Sequence, residues 1–275
     1  MTALRTLANN PALTLGCALL TGLVAVALAA PLLYPADPRD MIGPSMVAFG
    51  TDRSFPLGTD GLGRDVAAGI AYGARTSLVL GALSAGCATV IGMSLGLIAG
   101  YARGWVDTVL MGFCELFQTI PHFLLALFVV AILGASISHI ILAIALTSWP
   151  GVARLVRSQT LMLRELDFVR AAPAMNVGDV RIILTHLMPN VLPAVIANGS
   201  ILAAVAILGE SGLSFLGLGD PDLVSWGSMI GDGRDIIRTA PSLTLLPGSA
   251  ILITVLSLNL LGDGLNKALD PRRRR

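Results

Sequence analysis

Few residues in this chain have types and spacings that do chemistry, and those few sit in apolar surroundings. Glu115, Gln118 and His122 recur at i, i+3 and i+7, one face of a helix. A charge at the centre of a bilayer-spanning helix costs at least about 2.5–3.5 kcal/mol, so such a stripe faces protein or water. It either makes interhelical hydrogen bonds that fix packing or lines a polar pathway. Pro121 lies within the stripe, lacks a backbone donor and is expected to bend its helix, which fits gating as well as structure. Glu210 is a second isolated carboxylate, expected to reach the interface, to cap the loop after it, or to act in gating. Gly92-Met-Ser-Leu-Gly96 matches the Gly-x-Ser-x-Gly of serine nucleophiles. A nucleophile needs a base within hydrogen-bond reach, yet the last apolar run has no histidine, which disfavours an intramembrane serine protease. No ATP site is present either: a Walker A loop ends in Gly-Lys-Ser/Thr, and the only lysine, Lys267, lies in Asn266-Lys-Ala268. Cys17, Cys87 and Cys114 fall in apolar runs without paired spacing, so neither a disulfide framework nor a metal site is expected, and no cofactor is expected on this chain.

The elements that must position these groups are membrane spans. With 55% hydrophobic and 13% charged residues and a mean hydropathy of +0.80, the chain carries about half the charge of an average soluble domain and reads as an all-α polytopic membrane protein. No basic stripe interleaved with aromatics points to nucleic acid. Apolar windows of about 20 residues fall near 12–33, 78–100, 107–133, 136–156, 191–217 and 243–265, which predicts six spans. The first run ends in Ala27-Leu-Ala-Ala-Pro31, like a signal-peptide cleavage site, but it is longer than a usual signal core and is expected to stay as a helix. Gly92, Gly96 and Gly100, four apart in the second span, form a bare face that lets another backbone approach. Trp105, Trp149 and Trp226 fall near span ends, as an aromatic belt would place them.

Orientation follows from loop charge. With the N-terminus inside, the inner face holds Arg5, Arg103, Arg154, Arg157, Arg164, Arg170, Arg181, Lys267 and Arg272 to Arg275, twelve in all. The outer face then holds six: Arg39, Arg53, Arg64, Arg75, Arg234 and Arg238. The excess puts a cytoplasmic N-terminal segment (1–11) and a basic tail (266–275) inside. Within the domain of residues 12–265 it leaves outer loops at 35–76 and 218–242, the first with Arg and Asp mixed as in a folded surface cap.

One stretch differs in character. Residues 158–190 form a connector between spans 4 and 5, with Leu163, Leu166, Val169 and Ala172 spaced by threes and Arg164, Glu165, Asp167 and Arg170 between them. That pattern predicts a short amphipathic helix, either with one face toward the membrane bundle and the other toward a partner, or lying on lipid. Pro173 and Asn176 should interrupt it, and a second helix should begin with Asp179 as its N-cap and run toward Pro189.

The run from Asp167 to Asn190 resembles the cytoplasmic "EAA" loop of binding-protein-dependent ABC importer permeases, specifically the second (C-type) permease of the dipeptide, oligopeptide and nickel group. Further matching pieces run in family order along the chain: Pro56-Leu-Gly-Thr-Asp-Gly-Leu-Gly-Arg-Asp65, Tyr72-Gly-Ala-Arg-Thr-Ser77, Gly104-Trp-Val-Asp107, Trp149-Pro-Gly-Val-Ala-Arg-Leu-Val-Arg157, Ser214-Phe-Leu-Gly-Leu-Gly219, Ser225-Trp-Gly227 and Asn259-Leu-Leu-Gly-Asp-Gly-Leu265, then Leu269-Asp-Pro271. The chain departs from the pattern at Arg170-Ala171-Ala172, where the family has Glu-Ala-Ala, at Pro173, where a basic residue is common, and at Asn176, in place of the loop glycine.

The resemblance implies a type I ABC importer permease fold in a bacterial inner membrane, with a coupling helix between helices 4 and 5. It also implies a homologous permease partner, two cytosolic ATPase subunits that bind ATP and Mg, and an extracytoplasmic solute-binding protein. Carried onto this chain, the coupling loop comprises Asp167, Arg170, Ala171, Ala172, Asn176, Val177 and Gly178, with Arg170 suited to an acidic rim on the ATPase. Peptides are the first expectation for the solute, with nickel, a metal chelate or glutathione as others carried by relatives. A proton-coupled secondary transporter using Glu115 and Glu210 is the competing reading, and it has no need of the connector.

Overall fold

The computed structural model describes residues 11–269. Arg5, with most of the N-terminal segment, and the tail residues from Asp270 through Arg272 to Arg275 lie outside the described residues. Helix α1 spans Pro11–Leu33, α2 Val66–Ala102, α3 Gly104–Thr119, α4 His122–Leu133 and α5 Ile137–Arg164. Short α6 (Asp167–Ala171) and α7 (Asp179–Ile182) form the connector, followed by α8 (Met188–Leu213), α9 (Trp226–Gly233) and α10 (Ser242–Leu269). No strand occurs among the described residues; Thr59 and Asp65 make one isolated bridge. Among the described residues five stretches, α1, α2, α5, α10 and the run Asp179–Leu218 that contains α8, are each long and apolar enough to cross a membrane, and the bent pair α3–α4 is a sixth when its two helices are taken together.

Several expected limits move, each for a local reason. The second span begins at Val66 because Asp65 caps it, its carboxylate accepting from Ala67 N–H at 2.8 Å. The Tyr72–Ser77 piece and Arg75 are therefore helical, and the first long loop ends at Asp65 rather than at residue 76. The third span is broken rather than bent: α3 stops at Thr119, α4 restarts at His122, and the two axes differ by 81°. Pro121 at the α4 N-cap, with φ −54° and ψ 126°, cannot continue the preceding helix. The fifth span runs from Asp179 through a wide turn at Ile183–Leu187 and ends in a second at Ser214–Leu218, where Gly217 leaves the helical region, so the second connector helix does not end near Pro189. The fourth helix continues to Arg164, past the expected start of the connector.

Helices α2 and α5 make the most extensive helix pair. A methyl group placed on Gly92 would lie 2.6 Å from Trp149 O, on Gly96 2.5 Å from Ala153 O, and on Gly100 2.7 Å from Thr160 Cβ. The three glycines thus bring α2 against the α5 backbone. Gly96→Ala is expected to destabilise the bundle by about 1–3 kcal/mol through overpacking. Gly86 has nothing near its absent side chain, so Gly86→Ala should be neutral or stabilising by up to about 1 kcal/mol. Thermal unfolding of the two purified variants in detergent checks the contrast.

The long loop before α2 folds into a cap. Thr59 Oγ1 donates to Pro44 O at 2.6 Å and accepts from Val47 N–H at 2.9 Å, while Asp60 Oδ1 accepts from Leu62 and Arg64 N–H at 2.8 Å. Arg39 pairs with both Asp37 and Asp222, joining the cap to the segment before α9. The tryptophans do not form a belt. Trp226 is fully buried with its Nε1–H on Ile70 O at 3.0 Å, Trp149 is buried beside Phe113 and Phe117, and only Trp105 is exposed.

Candidate functional site

The connector is built as a seat with an exposed rim. Val169 and Ala172 turn inward onto Val152 and Val156 of α5, Leu97 of α2, Ile182, Leu187 and Val191, forming one apolar cluster. Arg170, Ala171, Asn176 and Gly178 are exposed, Val177 is half-buried and Asp167 is exposed. Ala172 is therefore a packing residue of the seat, unlike its exposed neighbour Ala171. The turn after α6 closes by paired hydrogen bonds, Val177 N–H to Ala172 O at 3.2 Å and Asn176 N–H to Pro173 O at 3.0 Å. This is a Schellman closure, and it places Asn176 in the left-handed region, φ 60° and ψ 31°. Asparagine tolerates that conformation better than other non-glycine residues. The next helix is capped by Gly178 rather than by Asp179, with Ile182 N–H reaching Gly178 O at 3.0 Å. Asp179 instead sits in the first turn, where its charge suits the helix dipole.

Two contacts that no local sequence pattern shows tie this seat to the spans, and a third joins two spans beside it. Tyr101, at the end of α2, donates its hydroxyl to Asp179 Oδ1 at 2.6 Å, and Arg164 stacks over its ring with Cζ 5.3 Å from the centroid. Arg103, in the break between α2 and α3, pairs with Glu165 just before α6. Arg157 of α5 grips Asp107 of α3 with two parallel bonds, Nε to Oδ1 at 2.5 Å and Nη2 to Oδ2 at 2.6 Å. Asp107 and Arg157 close two separate motif pieces quoted above, and that was their only signal in the sequence.

The Glu165–Arg103 pair carries a pH prediction. The hydrogen bond from Arg103, then its charge, holds the Glu165 carboxyl below the usual carboxylate range. A depressed carboxylate stabilises the fold above its unfolded value and stops doing so as pH falls through the folded one. Amide protection in Leu166–Ala172, corrected for intrinsic exchange, should therefore fall below about pH 4.5, and Glu165→Gln should abolish the dependence. The pair is exposed, so the effect is small and weakens with salt.

The intramembrane polar groups do not form one stripe. Glu115, exposed, and Gln118, half-buried, lie on α3, whereas His122 lies beyond the break at the start of α4. His122 Nδ1 is 2.9 Å from Thr147 O of α5, a contact its Nδ1–H tautomer makes as donor. Glu210 neither snorkels nor lies open: it is 2% exposed, and its Oε1 accepts hydroxyls from Ser214 at 2.7 Å and Ser225 at 2.6 Å. Ser94 is exposed and donates to Val90 O at 2.8 Å in its own helix, so the Gly-x-Ser-x-Gly match has no catalytic geometry.

Residues 92–275, which include this connector and every helix after it, match the family described as binding-protein-dependent transport system inner membrane component. The chain belongs to that family. The permease is 38% identical over 251 residues to the glutathione transport system permease protein GsiD of Pectobacterium atrosepticum, covering 91% of this chain and 83% of that one. It is 38% identical over 271 residues to the dipeptide transport system permease protein DppC of Alkalihalophilus pseudofirmus, with 98% and 89% covered. Across all 275 residues it is 41% identical to the probable peptide ABC transporter permease protein y4tQ of Sinorhizobium fredii, 94% of which is covered. Its fold is similar to that in the inward-facing MetNI methionine ABC transporter, with a TM-score of 0.59 at 17% identity over 72% of this chain and 95% of that one. The permease is thus a multi-pass ABC transport subunit with the type I importer fold, and not an enzyme.

Proposed function

We propose that the permease forms half of a translocation path through which peptides or a related small solute enter the cell, driven by ATP hydrolysed in separate subunits. The observation that carries this reading is the connector, a rigid apolar seat beneath an exposed rim of Arg170, Ala171 and Asn176. A cytosolic ABC ATPase docks on that rim, with ATP and Mg bound in the ATPase. A homologous permease supplies the other half of the path and holds a second ATPase. The connector end and both termini face the cytosol of a bacterial inner membrane, in keeping with the Lys/Arg excess at that end. The opposite end, with the cap, receives an extracytoplasmic solute-binding protein. Closure of the ATPases pulls the connector, its ties at Tyr101 and Arg103 pass the movement to α2 and the start of α3, and the Arg157–Asp107 pair couples α3 to α5, shifting the bundle between inward- and outward-open states. Glu115 and Gln118 contribute polar lining, and His122 with Pro121 holds the bend.

Peptides are the preferred solute because the similar proteins are named as glutathione, dipeptide and peptide permeases; nickel and metal chelates come second. ATP-dependent uptake by the reconstituted complex tests the reading. Ala171→Asp and Asn176→Val should each reduce uptake while the permease itself stays folded, the second because a β-branched residue in the left-handed region costs about 1–2 kcal/mol. Uptake that proceeds on a proton gradient without ATP would favour the secondary-transporter reading instead.

A further inference from the structure

Between α8 and α9 the chain turns through Gly217, which has φ 83° and ψ 14° and is free of the side-chain clash other residues meet there. Glu210 lies shortly before this turn, and its Oε1 takes hydrogen bonds from both sides of it: from Ser214 at 2.7 Å and from Ser225 at 2.6 Å. Ser225 Oγ in turn accepts Ser228 N–H at 3.1 Å, capping α9. One buried carboxyl oxygen therefore joins the end of α8 to the start of α9 across the Gly217 turn. Among the described residues Oε2 of Glu210 has no hydrogen bond, although it is buried. A half-satisfied buried carboxyl is costly, and an apolar group in its place with alanine for both Ser214 and Ser225 would be nearly neutral or better. Packing alone does not account for this residue.

What the carboxyl holds in place is the wall of a cleft. The start of α9 is wedged between α2 and α8: a methyl group on Gly227 would lie 2.5 Å from Ser211 Cα, and one on Gly73 2.8 Å from Trp226 Cδ1. Ser228, Met229 and Gly231 of α9, with Gly217, Arg64 and Val66, help line a cleft of about 790 Å³ at the end of the bundle opposite the connector. We infer that Glu210 is a positioning residue for transport: acting through Ser225, it latches α9 as the wall of this cleft, and the Gly217 turn is the hinge on which α9 moves when the latch opens. The inference rests on the transport function proposed above.

The test uses the full complex of both permeases and both ATPases, with Cys17, Cys87 and Cys114 of this chain replaced by Ser. Met229, which packs over Gly69, is changed to Cys as a reporter, and its modification by a membrane-impermeant maleimide is followed in nanodiscs. Ser225→Ala and Glu210→Ala should raise the labelling rate and lower the solute moved per ATP hydrolysed, each about ten-fold, at an unchanged amount of assembled complex. Glu210→Gln, which keeps the Oε1 acceptor, should restore both. Unchanged labelling and unchanged coupling in assembled Ser225→Ala complex would overturn the latch. So would a loss of transport that follows only the amount of complex, the signature of a packing role. Where Glu210→Ala does not assemble, Ser225→Gly decides, since glycine is a nearly equivalent N-cap for α9 and the change removes chiefly the hydroxyl bonded to Glu210. Labelling is read without transport, so a wild-type complex that fails to import on ATP refutes the transport function separately.

Discussion

Ala172→Asp is expected to unseat the connector and abolish recruitment of the ATPase. Ala172 is fully buried among Leu97, Val152, Ile182 and Leu187, and the buried side chains of that cluster are all apolar, while the Tyr101 hydroxyl beside it is held by Asp179. Burying a carboxylate there unpaired costs about 3 kcal/mol or more, far beyond what a short two-helix connector can absorb. Ala171→Asp, one residue earlier but exposed, should leave the fold intact and act only at the rim. Amide exchange in the connector and co-purification of the ATPase separate the two: the first variant loses both protection and binding, the second loses binding alone.

Asp107→Asn is the next largest expectation. It leaves Arg157 with one acceptor in place of a bidentate partner, at a site where Asp107 is only 14% exposed and Arg157 34%. A fully buried broken pair costs about 3–5 kcal/mol, and partial exposure of the guanidinium lowers the figure to about 2–3 kcal/mol. Arg157→Lys should cost nearly as much, because a point charge cannot reproduce two parallel bonds. Unfolding of both variants in detergent checks the magnitude. A double-mutant cycle with Asp107→Asn and Arg157→Lys, in which the combined loss falls well short of the sum, checks that the pair acts as a unit.

How far the sequence reached depends on what each residue needed. Spans could be read because they depend on apolar length, and Gly92, Gly96 and Gly100 because a bare helix face has a period. The turn at Asn176 was legible because proline and asparagine act locally. Pro121 announced a disturbance but not its size, since the 81° break depends on α3 and α4 packing separately on α5 through Phe113, Phe117 and His122. Val169 and Ala172 fall inward as their spacing by threes implies, but Leu166 of the same apolar series is left exposed, because so short a helix does not say which apolar residues find a partner. Pairings such as Tyr101 with Asp179, Arg157 with Asp107, and Glu210 with Ser225 join residues 78, 50 and 15 positions apart. No local pattern encodes those, and the aromatic belt failed for the same reason: Trp149 and Trp226 sit near span ends in sequence but face other helices, not lipid.

In the proposed function, ATP hydrolysis is coupled to transport at the connector rim. A photo-reactive amino acid at Ala171 in the assembled complex tests it most directly, with irradiation in the nucleotide-free and ATP-bound states. A single predominant adduct with the ATPase subunit is expected, its yield changing with nucleotide. Cross-linking to lipid alone, or an ATPase adduct obtained equally well from a complex whose uptake is insensitive to substitution at Ala171 and Asn176, would contradict it.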